Sequence, residues 1–95
     1  MACWSIVTSD KEKADRIFKE VIASHNSNVI RHVCSSNREC VYFEDGNWLI
    51  KLFPSESARG YRHTKIWIDK DIPRDFADAV FLAKFIGDKK DVVWI

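Results

Sequence analysis

The stretch of sequence that decides the fold is PSESARGYRHTKIWIDKDIPRD, residues 54–75. Its apolar segment KIWI, residues 65–68, is typical of a buried strand and ends at Asp69. A helix is expected to begin at Pro73, because a proline in the first helical turn sacrifices no hydrogen bond. Many α/β proteins place a metal or phosphate ligand where such a strand ends in a carboxylate, and structural turns use aspartate in the same way. The stretch therefore predicts an α/β architecture and leaves its function open.

The residues before this stretch predict a strand, a helix and a second strand. Residues 4–8 (WSIVT) form a short apolar run, and Ser9 with Glu12 has the S-x-x-E form of a capping box. The apolar residues that follow at helical spacing are Ala14, Ile17, Phe18, Val21 and Ile22. This stripe predicts an amphipathic helix that ends near residues 24–26, with a strand at residues 29–34.

A hairpin is predicted around the Asp45-Gly46 pair, which is a strong signal for a two-residue turn. In that register Phe43 faces Trp48 and Val41 faces Ile50. The core face of the hairpin would then carry Val41, Phe43, Trp48, Ile50 and Leu52. The opposite, partly apolar face would carry Cys40, Tyr42, Glu44, Leu49 and Lys51.

The C-terminal residues predict a second helix and a last strand. Residues 73–86 are apolar nearly all round, which is typical of a helix that is buried on several sides or meets a partner. Gly87 is the expected C′ residue of this helix, and residues 91–95 (DVVWI) the expected strand. The predicted order is β-α-β-β-β-β-α-β in a single domain, residues 1–95. The expected class is α/β with a mixed sheet, and α+β is the alternative.

Composition limits the classes of function. The chain has 95 residues and a net charge of +1, so any nucleic-acid or membrane contact would need a local patch. Three irregularly spaced cysteines do not form a disulfide framework, and we expect a reduced, cytoplasmic protein without a membrane span. The apolar second helix and the last strand could each build a homodimer. The four tryptophans are expected to lie mostly in the core.

The middle of the chain resembles the Walker B half of the ATPase domain of phage terminase large subunits. In that family an apolar hairpin strand leads into an RGxR loop and then into the Walker B strand, and SESARGYR followed by KIWID has this form. The segment SIVTSDKEKADRIFKEVI is similar to the family's strand and helix after the nucleotide-binding helix. The resemblance extends over residues 5–86 and is sharpest over residues 57–69. It implies a P-loop-derived fold connected with phage DNA packaging.

The chain departs from that family where catalysis is performed. No G-x-x-x-x-G-K-[ST] segment is present to hold nucleotide phosphates. Lys70 stands where the family has its catalytic glutamate, and a lysine cannot serve as that general base. The resemblance therefore implies no ATPase activity and no bound cofactor.

A basic cluster beside the strand is the predicted partner-binding site. It consists of Arg59, Tyr61, Arg62, His63 and Lys65. Arginine offers a planar fork of donors to phosphates and carboxylates, and Tyr61 could stack on a base or pack against a protein. A solvated loop with its charges offset by nearby carboxylates is the structural alternative. We weigh this alternative equally with a protein interface and above direct nucleic-acid binding, because the chain as a whole is not basic.

Two further groups could hold a metal ion. The first is Asp69, Asp71, Asp75 and Asp78, of which Asp69 and Asp71 are the magnesium candidates. Stabilisation of a helix N-terminus by negative charge is the favoured interpretation of this group. The second group is His25, His32, Cys34 and Cys40, whose spacing does not fit usual zinc sites, so buried structural cysteines are favoured.

The leading hypothesis is a small non-catalytic interaction module that binds a macromolecular partner, most readily a protein. Inhibitors of host defence systems encoded by phages or mobile elements, anti-CRISPR proteins among them, share this compact, nearly neutral and aromatic-rich profile. The alternatives are a nucleic-acid-binding protein of phage packaging or replication, and a small metal-dependent nuclease that uses Asp69 and Asp71.

Overall fold

The computed structural model describes residues 3–34, 39–54 and 63–95. Its elements are, in order, β1 (Cys3–Val7), α1 (Lys11–Ser24), β2 (Val29–Cys34), β3 (Glu39–Phe43), β4 (Trp48–Leu52), β5 (His63–Ile68), α2 (Arg74–Val80) and β6 (Val92–Trp94). Short 3-10 turns at Leu82–Lys84 and Lys89–Asp91 lie between α2 and β6. The predicted element order and the α/β class are confirmed.

All six strands belong to one mixed sheet with the order β2-β3-β4-β1-β5-β6. The strands β4, β1, β5 and β6 run parallel to one another, and β2, β3 and β4 are joined antiparallel. β1 lies inside the sheet, and its residues Ile6 and Val7 are completely buried. The first strand of the chain is therefore central to the fold.

One α-helix packs on each face of the sheet. On the face that we call the α1 face, α1 closes a core of Ile6, Ala14, Ile17, Phe18, Val41, Phe43 and Leu49. On the opposite α2 face, the core consists of Cys3, Val7, Cys40, Ile50, Leu52, Ile66, Ile68, Ala77, Val80 and Phe81. Because both faces are covered, strands such as β4 bury side chains on both sides.

The register predicted for the hairpin is wrong by one residue. Tyr42 pairs with Trp48, and the Phe43 N–H donates to the Asn47 carbonyl at 2.8 Å. The loop therefore contains three residues, 44–46, and Gly46 takes the positive φ of 92° that such a loop requires. Since a slip of one residue moves every side chain to the other face, Trp48 lies on the α2 face and Leu49 in the α1 core.

The N-cap of α1 is Asp10, and the capping box predicted at Ser9 is wrong. The Asp10 carboxylate accepts hydrogen bonds from the N–H groups of Glu12 at 3.0 Å and Lys13 at 3.2 Å. These bonds satisfy two of the donors that a helix leaves free at its start. The helix ends at Ser24, inside the predicted range.

The predicted extension of the second helix to residue 86 is also wrong. α2 ends at Val80, and Phe85 forms a parallel bridge with His63, next to which the Ile86 N–H donates to the His63 carbonyl at 2.8 Å. Backbone pairing with the start of β5 thus replaces helical hydrogen bonds. Gly87 is required by this close approach and not as a helix C′ residue, because a methyl group there would overlap the carbonyl oxygen of Thr64.

Candidate partner-binding surfaces

Two members of the predicted basic cluster, His63 and Lys65, lie in the part of the chain that the structure describes. Arg59, Tyr61 and Arg62 lie outside the described residues. His63 is the first residue of β5 and is completely buried, with its Nδ1 2.6 Å from the Ser5 hydroxyl oxygen. Burial lowers the pKa of His63 to about 4, because the charged form cannot be solvated there. The prediction of His63 as a surface contact residue is therefore wrong.

Lys65 lies on the α1 face of the sheet, next to two half-buried tryptophans. Its Nζ is 6.0 Å from the ring centroid of Trp4 and 5.4 Å from that of Trp67. An ammonium group at this distance from an indole gains a cation–π attraction. Trp4, Trp48 and Trp67 are half-buried and Trp94 is 39% exposed, so every tryptophan reaches the surface in part.

Asp69 is a buried structural carboxylate at the carboxyl end of β5. Its Oδ2 accepts from the Thr8 hydroxyl at 2.6 Å, and its Oδ1 accepts from Lys13 Nζ at 3.3 Å and from the Asp71 N–H at 3.0 Å. Burial acts to raise the pKa of this carboxyl, but these hydrogen bonds and the Lys13 charge hold the pKa below its ordinary value. Asp69 thus ties the end of β5 to the end of β1 and the start of α1.

A cavity of about 360 Å³ lies next to Asp69. It is lined by Ser9, Pro54, Asp69, Asp71, Ile72, Pro73 and Phe76. After β1 the chain continues into α1 on the α1 face, and after β5 it continues into α2 on the α2 face. α/β proteins often bind ligands between neighbouring strands whose following helices lie on opposite faces of the sheet. Both oxygens of Asp69 are already engaged. The residues described contain no group of three side chains that could hold a metal ion.

Replacement of Asp69 by alanine is expected to destabilise the protein by about 1–3 kcal/mol, because it leaves the buried Thr8 hydroxyl and the Asp71 N–H without their acceptor. Urea unfolding at pH 7 measures this loss, and Asp71→Ala is the matched control, since the Asp71 side chain is exposed. The alternative of a nuclease makes a different prediction. It requires Mg²⁺-dependent DNA cleavage that Asp69→Ala abolishes while the variant remains folded.

The histidines and cysteines considered for zinc lie on different faces. His32 is bonded to Glu39 at 2.6 Å on the α1 face, and Cys40 is buried on the α2 face. Cys34 is exposed, and His25 is bonded to Asp45 at 2.7 Å near the hairpin loop. The strand pairing thus separates the side chains that would have to converge on one ion.

A groove of about 560 Å³ with a largely apolar lining lies beside α1 on the α1 face. Its lining residues are Arg16, Ile17, Glu20, Val21, Ser24, Trp67, Val93 and Ile95, and we call it the α1 groove. The groove arises because α1 covers β1, β3 and β4, whereas the sheet continues beyond α1 with β5 and β6. Trp67, Val93 and Ile95 form the floor, and α1 forms one wall.

A second surface is the strip formed by Arg31, Tyr42 and Trp48, which we call the edge strip. These residues are neighbours on three adjacent strands of the α2 face. The Tyr42 and Trp48 rings stack with 5.6 Å between centroids and 3° between planes, and Arg31 Cζ lies 5.8 Å from the Tyr42 centroid. Sequence reasoning missed the strip, because the wrong hairpin register placed Tyr42 and Trp48 on opposite faces.

No protein-family model, curated protein or solved structure matches this chain. The resemblance to terminases therefore stays a prediction. In the part of the chain that the structure describes, no helix is long and apolar enough to cross a membrane.

Proposed function

We propose that this protein is a non-catalytic interaction module that binds an α-helix of a partner protein in the α1 groove. The observation that supports this proposal is the uncovered apolar floor beside α1. Grooves of this kind, with an apolar base and a few polar groups at the rim, are where proteins receive ligands and peptides.

A helix is the element that fits this position. Helices pack against the face of a sheet, and neighbouring helices in such a layer lie about 8–10 Å apart. The groove has the sheet as its floor and α1 as its wall, and it is the place where a second helix of the α1 layer would lie. Ile17 and Val21 would contact the side of the incoming helix. Trp67 is the natural anchor at its base, because large aromatic side chains dominate binding energy at interfaces.

The charges at the rim define the chemistry of the partner. Arg16 and Glu20 lie one helical turn apart along the wall of the groove. A complementary helix would present apolar residues at positions i, i+3, i+4 and i+7. It would also carry an acidic residue opposite Arg16 and a basic residue opposite Glu20, since opposite charges at the rim set orientation and specificity.

The test combines site-specific cross-linking with charge reversal. A photo-crosslinking residue is placed at Ser24 on the groove rim, or at exposed Lys19 outside the groove lining as the matched control, and the protein is exposed to nuclease-treated bacterial lysate. We expect Ser24 to cross-link to one partner peptide of amphipathic helical pattern, and Lys19 not to. A synthetic copy of that peptide should bind at least ten-fold more weakly to Arg16→Glu and Trp67→Ala, and equally well to Lys19→Glu.

Several results would contradict the proposal. Equal binding of the peptide to wild type and Arg16→Glu would exclude the charge match. A Ser24 cross-link to a second copy of this chain would make the groove a homodimer interface. Capture of a partner from untreated lysate that is lost after nuclease treatment would favour the nucleic-acid alternative.

The cellular setting follows from the sequence-based hypothesis. We place the action of the module in the cytoplasm of a bacterial cell, where an inhibitor encoded by a phage or mobile element would meet a host defence protein. The identity of the cross-linked partner tests this role directly, because a component of a defence system would support it and a packaging or replication protein would favour the phage-assembly alternative.

A further inference from the structure

The open edge of the sheet at β2 is separate from the α1 groove. β2 is the outermost strand, and all its residues except the half-buried Val33 are exposed. An edge strand presents a row of backbone N–H and C=O groups that can pair with another strand. Val29 and Ile30 are 40% and 65% exposed, so the edge also carries uncovered apolar side chains.

The edge strip gives this edge a distinct chemistry on the α2 face. Arg31 is exposed, its guanidinium lies over the Tyr42 ring, and Trp48 on the next strand stacks on the same Tyr42 ring. Within the described ranges no carboxylate pairs with Arg31. On the opposite face the neighbouring His32 is already bonded to Glu39. Among the described residues, the charge of β2 without a carboxylate partner is therefore that of Arg31 on the α2 face, where the guanidinium lies over the Tyr42 ring.

We infer that β2 binds an extended acidic segment of a partner protein as an added strand. Backbone pairing along β2 would provide affinity, and an acidic side chain opposite Arg31 would provide specificity through a charge-assisted hydrogen bond. Because side chains two residues apart share a face, the same segment would carry an apolar residue next to the acidic one on that face, opposite Val33. This inference rests on β2 and the edge strip and is independent of the α1 groove.

A second copy of β2 would bring its own Arg31 to this edge. An antiparallel pairing centred on Arg31 sets this residue directly against Arg31 of the second copy, and arginines directly opposite each other in a sheet repel. The charge of Arg31 therefore favours an acidic chain over this homodimer register.

The experiment is a selection of phage-displayed random dodecapeptides on the immobilised protein. We expect the selected peptides to share one acidic residue with an apolar residue two positions away, between β-branched residues. A synthetic peptide of the selected sequence should change tryptophan fluorescence and slow amide hydrogen exchange in β2. Its affinity should fall at least ten-fold in Arg31→Gln.

Arg74→Gln is the matched control, because Arg74 Cζ also lies over an aromatic ring, 4.8 Å from the Trp94 centroid, at a site remote from β2. This variant should bind the peptide as wild type does, and the thermal midpoint of each variant verifies its fold. A selection without the acidic pattern, equal affinity in Arg31→Gln, or protection of amides outside β2 would each overturn the inference. Binding of the oligonucleotide dT10 that depends on Arg31, with no peptide selected, would overturn it in favour of a nucleic-acid ligand.

Discussion

Replacement of Phe43 by alanine is expected to lower the free energy of unfolding by about 3–5 kcal/mol. Phe43 is 1% exposed and lies in the α1 core. Its ring centroid is 4.6 Å from that of His25 at the end of α1 and 6.1 Å from that of Trp4 in β1. Truncation would remove a large buried contact between the hairpin and both elements and leave a cavity in the α1 core.

The expected loss is a large share of the total stability. A chain of this length has a free energy of unfolding of about 5–15 kcal/mol. Urea unfolding measures the change, and Phe53→Ala is the matched control, because Phe53 is 65% exposed and its replacement should cost less than about 1 kcal/mol. Equal losses in the two variants would mean that Phe43 does not lie in the α1 core.

Acidification from pH 7 to pH 4 is expected to destabilise the protein by about 3 kcal/mol through His63 alone. The pKa of His63 is lowered to about 4 in the folded protein from an ordinary value of 6.5. Between these two values the unfolded chain binds a proton that the folded protein excludes, so stability is fully present above pH 6.5 and falls with decreasing pH. Each pKa unit of the difference corresponds to about 1.4 kcal/mol.

This effect can be separated from that of the carboxylates. The pKa values of Glu39 and Asp69 are lowered from ordinary values of 4.5 and 3.8. The stability that these two ionised carboxylates give the folded protein is therefore lost only as the pH falls through and below those ordinary values. Urea unfolding at pH 7.5 and pH 5 therefore avoids the range in which these carboxylates lose their stabilisation, and about 2 kcal/mol should be lost through His63 between these conditions. His63→Gln should remove most of this dependence, whereas exposed His32→Gln should keep it. A slope unchanged in His63→Gln would exclude His63 as its source.

Local patterns predicted the elements well and their lengths less well. The stripe from Ala14 to Ile22 predicted α1 because helical spacing is a local property. The hairpin register could not be derived from the Asp45-Gly46 pair, since the same dipeptide fits two-residue and three-residue loops. The choice between them depends on which side chains the two helices cover. The end of α2 was missed because residues 85–86 pair with β5, a tertiary contact that overrides helix propensity.

The candidate surfaces were harder to predict than the fold. Lys65 was identified from its charge, and the structure adds its position beside Trp4 and Trp67. The α1 groove combines Ile17 and Val21 with Trp67, and no local pattern reveals that distant segments leave a gap between them. His63 was misjudged because its sequence neighbours are basic, whereas its place at the start of β5 turns its ring into the core.

The central position of β1 in the sheet affects how the chain folds during its synthesis. β1 is synthesised before both of the strands that flank it. Cys3, for example, pairs with Trp48 of β4 and with His63 of β5, which are 45 and 60 residues later in the chain. Contacts between such distant segments form slowly, since a long loop must close before any of them forms. During translation the apolar strand of residues 3–7 therefore has no sheet partner until β4 and β5 have been synthesised, and an unpaired apolar strand of this kind is prone to aggregation.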